Sequence, residues 1–250
     1  MNSKVLLAFF ITSLAGLSTL IGTILIFIKK ESHNIVPASL SLAAGVMLCT
    51  SLTDLIPNSI TLLQFNFYKM PSILICLIFI ALGVLISLFI DLLLPNSENK
   101  DIKLYRVGII SMLAIILHNI PEGIATFMAS NTNIKLGISL AIAIALHNIP
   151  EGISISIPIY HATKSKSKAF LYTFISGISE ALGAILTYLF LSRYMNDIIL
   201  GIIFSIIAGI MIHISIYELL PTALNYKKYK ITVIYFIIGM IIMIINHFIF

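Results

Sequence analysis

Apolar residues run in long blocks along this chain, and polar residues are confined to short breaks between them. Crossing the hydrocarbon core of a bilayer takes about 20 consecutive, mostly apolar residues in a helix. Eight blocks reach that length: residues 4–28, 35–56, 71–94, 105–130, 134–160, 169–192, 198–220 and 231–250. The breaks are too short to hold a separate folded unit. The pattern therefore predicts an all-α polytopic membrane protein, a single domain over residues 1–250. The first block is too long for a signal-peptide core, and no small-residue cleavage site follows it, so it reads as a retained span.

Composition sharpens this. Hydrophobic residues make up 59% of the chain and charged ones 10%, where a soluble domain carries roughly a quarter charged. The net charge of +5 is too small, and too confined to loops, to suggest a nucleic-acid partner. Cys49 and Cys76 lie inside apolar blocks, so no disulfide framework is indicated. The cations are unevenly shared. One set of loops holds Lys29, Lys30, Lys100, Lys103, Arg106, Lys164, Lys166, Lys168, Lys227, Lys228 and Lys230. The other set, with the N-terminus, holds Lys4, Lys69, Lys135 and Arg193. Cytoplasmic loops carry the excess of Lys and Arg, so both termini are expected outside the cytoplasm of a cell-membrane protein. The lysine-rich loops also read as contacts for anionic lipid.

The blocks repeat. Ala44-Gly45-Val46-Met47, Ser51 and Asp54-Leu55-Ile56-Pro57 in the second recur in the seventh at a constant offset of 164, as Ala208-Gly209-Ile210-Met211, Ser215 and Glu218-Leu219-Leu220-Pro221. Gly16-Leu17-Ser18-Thr19-Leu20-Ile21-Gly22 in the first recurs in the sixth at an offset of 161, as Gly177-Ile178-Ser179-Glu180-Ala181-Leu182-Gly183. The third and eighth share Gly83 and Gly239. Paired spans are five apart, so they cross in opposite directions. The predicted arrangement is three spans, a central pair and three inverted spans, a 3+2+3 inverted repeat of the kind that places a transporter's site near the bilayer midplane.

The central pair carries the chemistry. His-Asn-Ile-Pro-Glu-Gly occurs at His118–Gly123 and again at His147–Gly152. His118 and Glu122 are four residues apart and share a helix face, with Asn119 at its edge; His147, Asn148 and Glu151 repeat the pattern. Pro121 and Pro150 are expected to kink their helices and free the carbonyls of Leu117 and Leu146. Gly123 and Gly152 allow close helix approach. The midpoint between the motifs falls in Ser130-Asn131-Thr132-Asn133, so both sit at similar depth, about 20 Å from that turn at 1.5 Å per residue.

Ionisable groups inside a membrane are costly and mark functional sites. Glu122, Glu151 and Glu180 lie well inside spans, and no Lys or Arg lies in the middle of one. Three carboxylates need a counter-charge there, so a bound cation or partial protonation is implied. Imidazole, amide oxygen and carboxylate together suit Zn²⁺, Fe²⁺ or Mn²⁺. Carboxylates able to bridge would permit one or two ions.

These motifs resemble those of the ZIP (Zrt-, Irt-like) family of divalent metal transporters, most closely its bacterial broad-specificity branch. The likeness covers nearly the whole chain. It is carried by Leu117–Gly123, Leu146–Gly152 and Ser176-Gly177-Ile178-Ser179-Glu180. The resemblance implies that His118, Asn119, Glu122, His147, Asn148, Glu151 and Glu180 form the metal site. It implies uptake of zinc, and also iron, manganese, cobalt and cadmium, into the cytoplasm by alternating access, with elevator-like motion of spans 1, 4, 5 and 6. Homodimers occur in that family. The second motif's His147-Asn148 departs from other polar pairs found there, and the 95–104 loop lacks the histidine-rich tract of many eukaryotic members.

Other polar positions have two readings. Met47, Cys49, Met211 and His213 occupy repeat-equivalent places and could line an ion path, or only pack. Asp54 and Glu218 could form ion vestibules, or cap and solvate span ends. Asp91, His33 and His247 read as interfacial, and His161 as part of a basic loop. An intramembrane metalloenzyme or a metal sensor is the alternative class. The first would want an open zinc position with a general base, but His-Glu-x-x-His is absent; the second would need a signalling domain, and none is predicted.

Overall fold

A computed structural model describes residues 3–27, 34–93, 99–190 and 196–249. The expectations for Lys29, Lys30, His33 and Arg193 fall outside these residues. Among the described residues, eight helices are long and apolar enough to cross a membrane. They are α1 (Ser3–Phe27), α2 (Ile35–Gln64), α3 (Lys69–Leu93), α4 (Lys100–Thr132), α5 (Ile134–Thr163), α6 (Lys166–Leu189), α7 (Asp197–Leu224) and α8 (Tyr229–Ile249).

Polar residues start α4, α5, α6 and α7 as side-chain caps, satisfying first-turn N–H groups that have no partner within the helix. Asn99 accepts from the Asp101 N–H at 2.8 Å, Ser165 from Lys168 at 3.3 Å and Asn196 from Ile199 at 3.0 Å. Asn133 alone separates α4 from α5, where a four-residue polar turn was expected. Its backbone is extended, and its side chain accepts from the Lys135 and Leu136 N–H groups.

Helix winding changes away from the motif prolines. Pro121 and Pro150 lie inside α-helix, and the change of winding does not fall at either. It occurs instead at Ser51–Leu55 in α2 and Ile214–Leu219 in α7, which wind as π-helix just before Pro57 and Pro221. A wider turn makes room for a proline ring that would otherwise meet the carbonyl four residues back. This is why α2 continues to Gln64, eight residues past the expected end. The second half of α1, Ser18–Phe27, winds as 3-10 helix. Ser18, Thr19 and Thr23 there donate to carbonyls three residues back at 2.6–2.7 Å.

The helices form two bodies. α1, α4, α5 and α6 pack chiefly on one another, as do α2, α3, α7 and α8; α2 against α5 and α7 against α4 join the two. The repeat seen in the sequence is present in the packing, glycine by glycine. A Cβ on Gly45 would strike the Phe236 carbonyl, and one on Gly209 would strike that of Ile80. A Cβ on Gly123 would strike the Glu180 carbonyl, and one on Gly152 would strike that of Thr19. Each contact maps onto its partner through offsets of 161 (α1 to α6), 164 (α2 to α7), 156 (α3 to α8) and 29 (α4 to α5). Without a hydrophobic drive between helices in lipid, such close backbone approaches are a main source of association. The outer faces of α3 and α8 leave large apolar side chains such as Phe89, Leu92 and Ile234 exposed, as lipid contact requires.

Candidate metal centre between the twin motifs

α4 and α5 run antiparallel from the Asn133 turn, which brings His118 and His147 to the same depth, with ring centroids 5.9 Å apart. Both imidazole Nε2 atoms point at one oxygen: Glu122 Oε1 is 3.0 Å from His118 and 3.0 Å from His147. Glu151 Oε1 lies 3.8 Å from His118 Nε2. One donor atom each from His118, Glu122 and His147 fall within 4.8 Å of one another, a spacing at which a single cation can be shared.

The two asparagines behave as a matched pair. Asn119 Nδ2 donates to the Ser176 carbonyl of α6 at 3.2 Å, and Asn148 Nδ2 to the Ala15 carbonyl of α1 at 3.1 Å. Ala15 and Ser176 are equivalent at the offset of 161. Each bond turns the amide so that its oxygen is left without a protein partner. Asn148 Nδ2 also reaches Glu180 Oε1 at 2.5 Å. Gly16 makes the space for Glu180, since a Cβ there would meet the Glu180 side chain.

These groups are buried. His118, Asn119, Asn148, Glu151 and Glu180 are each 1% exposed or less. Asn119 Oδ1, Asn148 Oδ1, Glu122 Oε2, both Glu151 oxygens and Glu180 Oε2 have no hydrogen-bond partner in the protein. Leaving such atoms unsatisfied in an apolar interior is costly. All six are acceptors, the kind of atom a cation takes as a ligand. The fold thus brings His118, His147, Glu122 and Glu151 within reach of one another, holds Asn119 against α6 and Asn148 against α1, and joins Glu180 to Asn148.

A cavity of about 440 Å³ leads to this cluster between the two bodies. Glu122 and His147 line it, as do Ala125, Ala143, Phe204, Asp54, Asn58 and His247. Asp54, Asn58 and His247 lie at its outer rim near the Asn133 turn, with Asp54 Oδ1 2.8 Å from His247 Nδ1. At the opposite end the bodies are closed over by buried Ile155, Ile159, Met211 and Leu219.

The remaining sequence candidates are spread apart. Met47 and Met211 are buried in the hydrophobic core, and Cys49 is buried nearby. His213 bonds to Ser87 Oγ at 2.9 Å and stacks on Tyr217, away from the cluster. Glu218 lies at the closed end, 3.8 Å from Arg106, which also pairs with Asp91. The sequence reading left Asp91 and Arg106 unconnected; extending the 83-to-239 register to Asp91 would have singled it out as the counterpart of His247.

An eight-helix membrane protein with inverted symmetry about a buried His/Asn/Glu cluster belongs, by architecture, among the transporters. Comparison with known proteins narrows that class. The family model described as "ZIP Zinc transporter" matches residues 95–247. The chain is 41% identical to a protein named zinc transporter ZupT from Streptococcus mutans over 263 residues, covering all of both chains. It is 40% identical to a ZupT from Clostridium perfringens, covering 99% of this chain and 97% of that one, and 40% identical to one from Chlorobaculum parvum, covering all of both. The chain belongs to the ZIP zinc transporter family, a family of transporters and not of enzymes.

Proposed function

We propose that this protein takes up divalent transition-metal cations, zinc first among them, into the cytoplasm by alternating access through the His118–His147–Glu122 cluster. The observation that carries the reading is the convergence of both imidazoles on one Glu122 oxygen, at 3.0 Å each, inside a shell of unpartnered acceptor atoms. The relatives named as zinc transporters support zinc as a substrate. A first cation sits among His118, His147, Glu122 and Glu151. Asn119, Asn148 and Glu180, with the same two glutamates, supply enough oxygens for a second. Borderline imidazole and hard carboxylate do not strongly separate Zn²⁺ from Fe²⁺, Mn²⁺, Co²⁺ or Cd²⁺, whereas Mg²⁺ and Ca²⁺ prefer all-oxygen shells.

The cavity end is the extracytoplasmic face. His247, near the C-terminus, lines the cavity, and Ala8, near the N-terminus, packs on Phe127 at the same end. The lysine-rich loops lie at the other end, where they meet anionic lipid. Cations enter past Asp54, and release requires α1, α4, α5 and α6 to shift against the other body. The outer faces of the second body provide room for a homodimer contact.

The test is flux into proteoliposomes. Glu122→Ala/Glu151→Ala should lose uptake while remaining inserted and helical, and uptake by the wild type should fall with added Fe²⁺ or Cd²⁺ but hold against equimolar Mg²⁺. Uptake near the wild-type rate in the double variant would refute the assignment of the site.

A further inference from the structure

The two ends of the body–body interface carry matching sets of charged residues. At the closed end, Arg106 of α4 pairs with the Asp91 carboxylate of α3, reaches the Asp91 carbonyl at 3.2 Å and lies 3.8 Å from Glu218 of α7. Arg106 belongs to the body that holds the site; Asp91 and Glu218 belong to the other. The three side chains are between 13% and 25% exposed, so water screens them only in part.

The registers of the repeat map this triad onto the open end. Arg106 plus 29 is Lys135, Asp91 plus 156 is His247, and Glu218 minus 164 is Asp54. These are the offsets that the glycine contacts obey, so the correspondence is one of position in the fold as well as in sequence. His247 and Asp54 meet each other at 2.8 Å, as neighbours within the second body. Lys135, on the site-bearing body, makes no ion pair with any described residue. The closed end thus has its cation docked on two acids, and the open end has the same three positions with the cation undocked.

We propose that these triads are alternating latches. Arg106 on Asp91 and Glu218 holds the cytoplasmic end shut while the cavity is open, and Lys135 docks on Asp54 beside His247 when the cavity closes. This rests on the alternating-access reading of the preceding section. The latches are unequal. Arg106 meets the Asp91 carboxylate and carbonyl through one nitrogen, Nη2, lies near a second acid and carries a fixed charge, while Lys135 offers a compact, strongly hydrated ammonium to one acid. The inequality biases the cargo-free protein towards the state with its cavity open outward, ready to receive a cation.

The test is the rate at which an impermeant maleimide, added outside, labels Cys introduced at Ala125, which lines the cavity beside Glu122. Cys49 and Cys76, both buried, are replaced by Ala. Arg106→Gln should slow labelling about fivefold, near the upper end for a partly exposed ion pair. Adding Lys135→Gln to it should restore the rate. The charge-conserving exchange Arg106→Lys/Lys135→Arg should label more slowly than wild type, and it keeps the test intact if Arg106→Gln folds poorly. Labelling that Arg106→Gln leaves unchanged, or that Lys135→Gln fails to restore, overturns the latches. Wild-type labelling that saturating Zn²⁺ does not alter would count against alternating access itself. A Zn²⁺-sensitive wild type with insensitive variants would overturn the latches alone.

Discussion

The two halves of the candidate metal centre are built from the same hexapeptide, yet they end in unequal surroundings. Asn119 leans on α6 and Asn148 on α1 in matching bonds, 3.2 and 3.1 Å long, to equivalent carbonyls. Gly123 and Gly152 are pressed against equivalent residues, Glu180 and Thr19. There the likeness stops. Glu180 sends a carboxylate to Asn148, whereas Thr19 turns its hydroxyl back onto the Gly16 carbonyl at 2.6 Å. α6 stays α-helical through Glu180, while α1 tightens to 3-10 winding from Ser18. The repeat supplies the frame, and one side-chain difference on the flanking helices gives the centre its asymmetric charge. A site that must release its cargo gains from that restraint, since each added carboxylate deepens the well for a cation.

Removing the asymmetric carboxylate should have the largest effect on this comparison. Glu180→Gln should lower the initial Zn²⁺ uptake rate about tenfold or more, the scale for groups that complete a metal shell. Uptake at the wild-type rate would show Glu180 to be a packing residue. Restoring symmetry is the next test. Thr19→Glu should tighten Zn²⁺ binding about tenfold by calorimetry while slowing turnover, because ligand charge count sets affinity. Faster uptake without a change in affinity would remove the argument for restraint.

Smaller effects should separate the asparagines. Asn148→Ala should slow uptake about fivefold and Asn119→Ala about twofold, because Asn148 holds both a carbonyl and Glu180, and a bond to a charged group is worth more than one to a neutral acceptor. Equal losses would mean that the Asn148–Glu180 contact does not organise the site. The smallest difference should come from the glycines. Gly123→Ala and Gly152→Ala should each destabilise by about 1–3 kcal/mol through overpacking, and their unfolding midpoints should fall by matching amounts. A clear inequality would break the two-fold correspondence of the frame.

Much of this was readable from the chain. Apolar block length set eight spans, because a bilayer demands a full turn-by-turn run of apolar helix. The doubled hexapeptide and the three intramembrane glutamates pointed to the candidate site, because charge in hydrocarbon needs a counter-charge. The Asp54 and Glu218 equivalence was legible too, but not their different fates. One lines an open cavity and the other meets Arg106 at the closed end.

Sequence alone determined the quantities that depend on neighbours along the chain: span number, the inverted order of the repeats, and the face shared by each His and Glu. Tertiary structure alone decided what depends on which helices touch. It chose Glu122 as the oxygen met by both histidines, aimed each asparagine at a carbonyl of a helix distant in sequence, and placed His213 against Ser87 instead of the site. It also put the winding defects at the π turns before Pro57 and Pro221 and left the motif prolines within regular helix. The physical reason is range. Periodicity and composition report on contacts three or four residues apart, whereas the orientation of a buried polar side chain is set by whichever backbone carbonyls the packed bodies leave free.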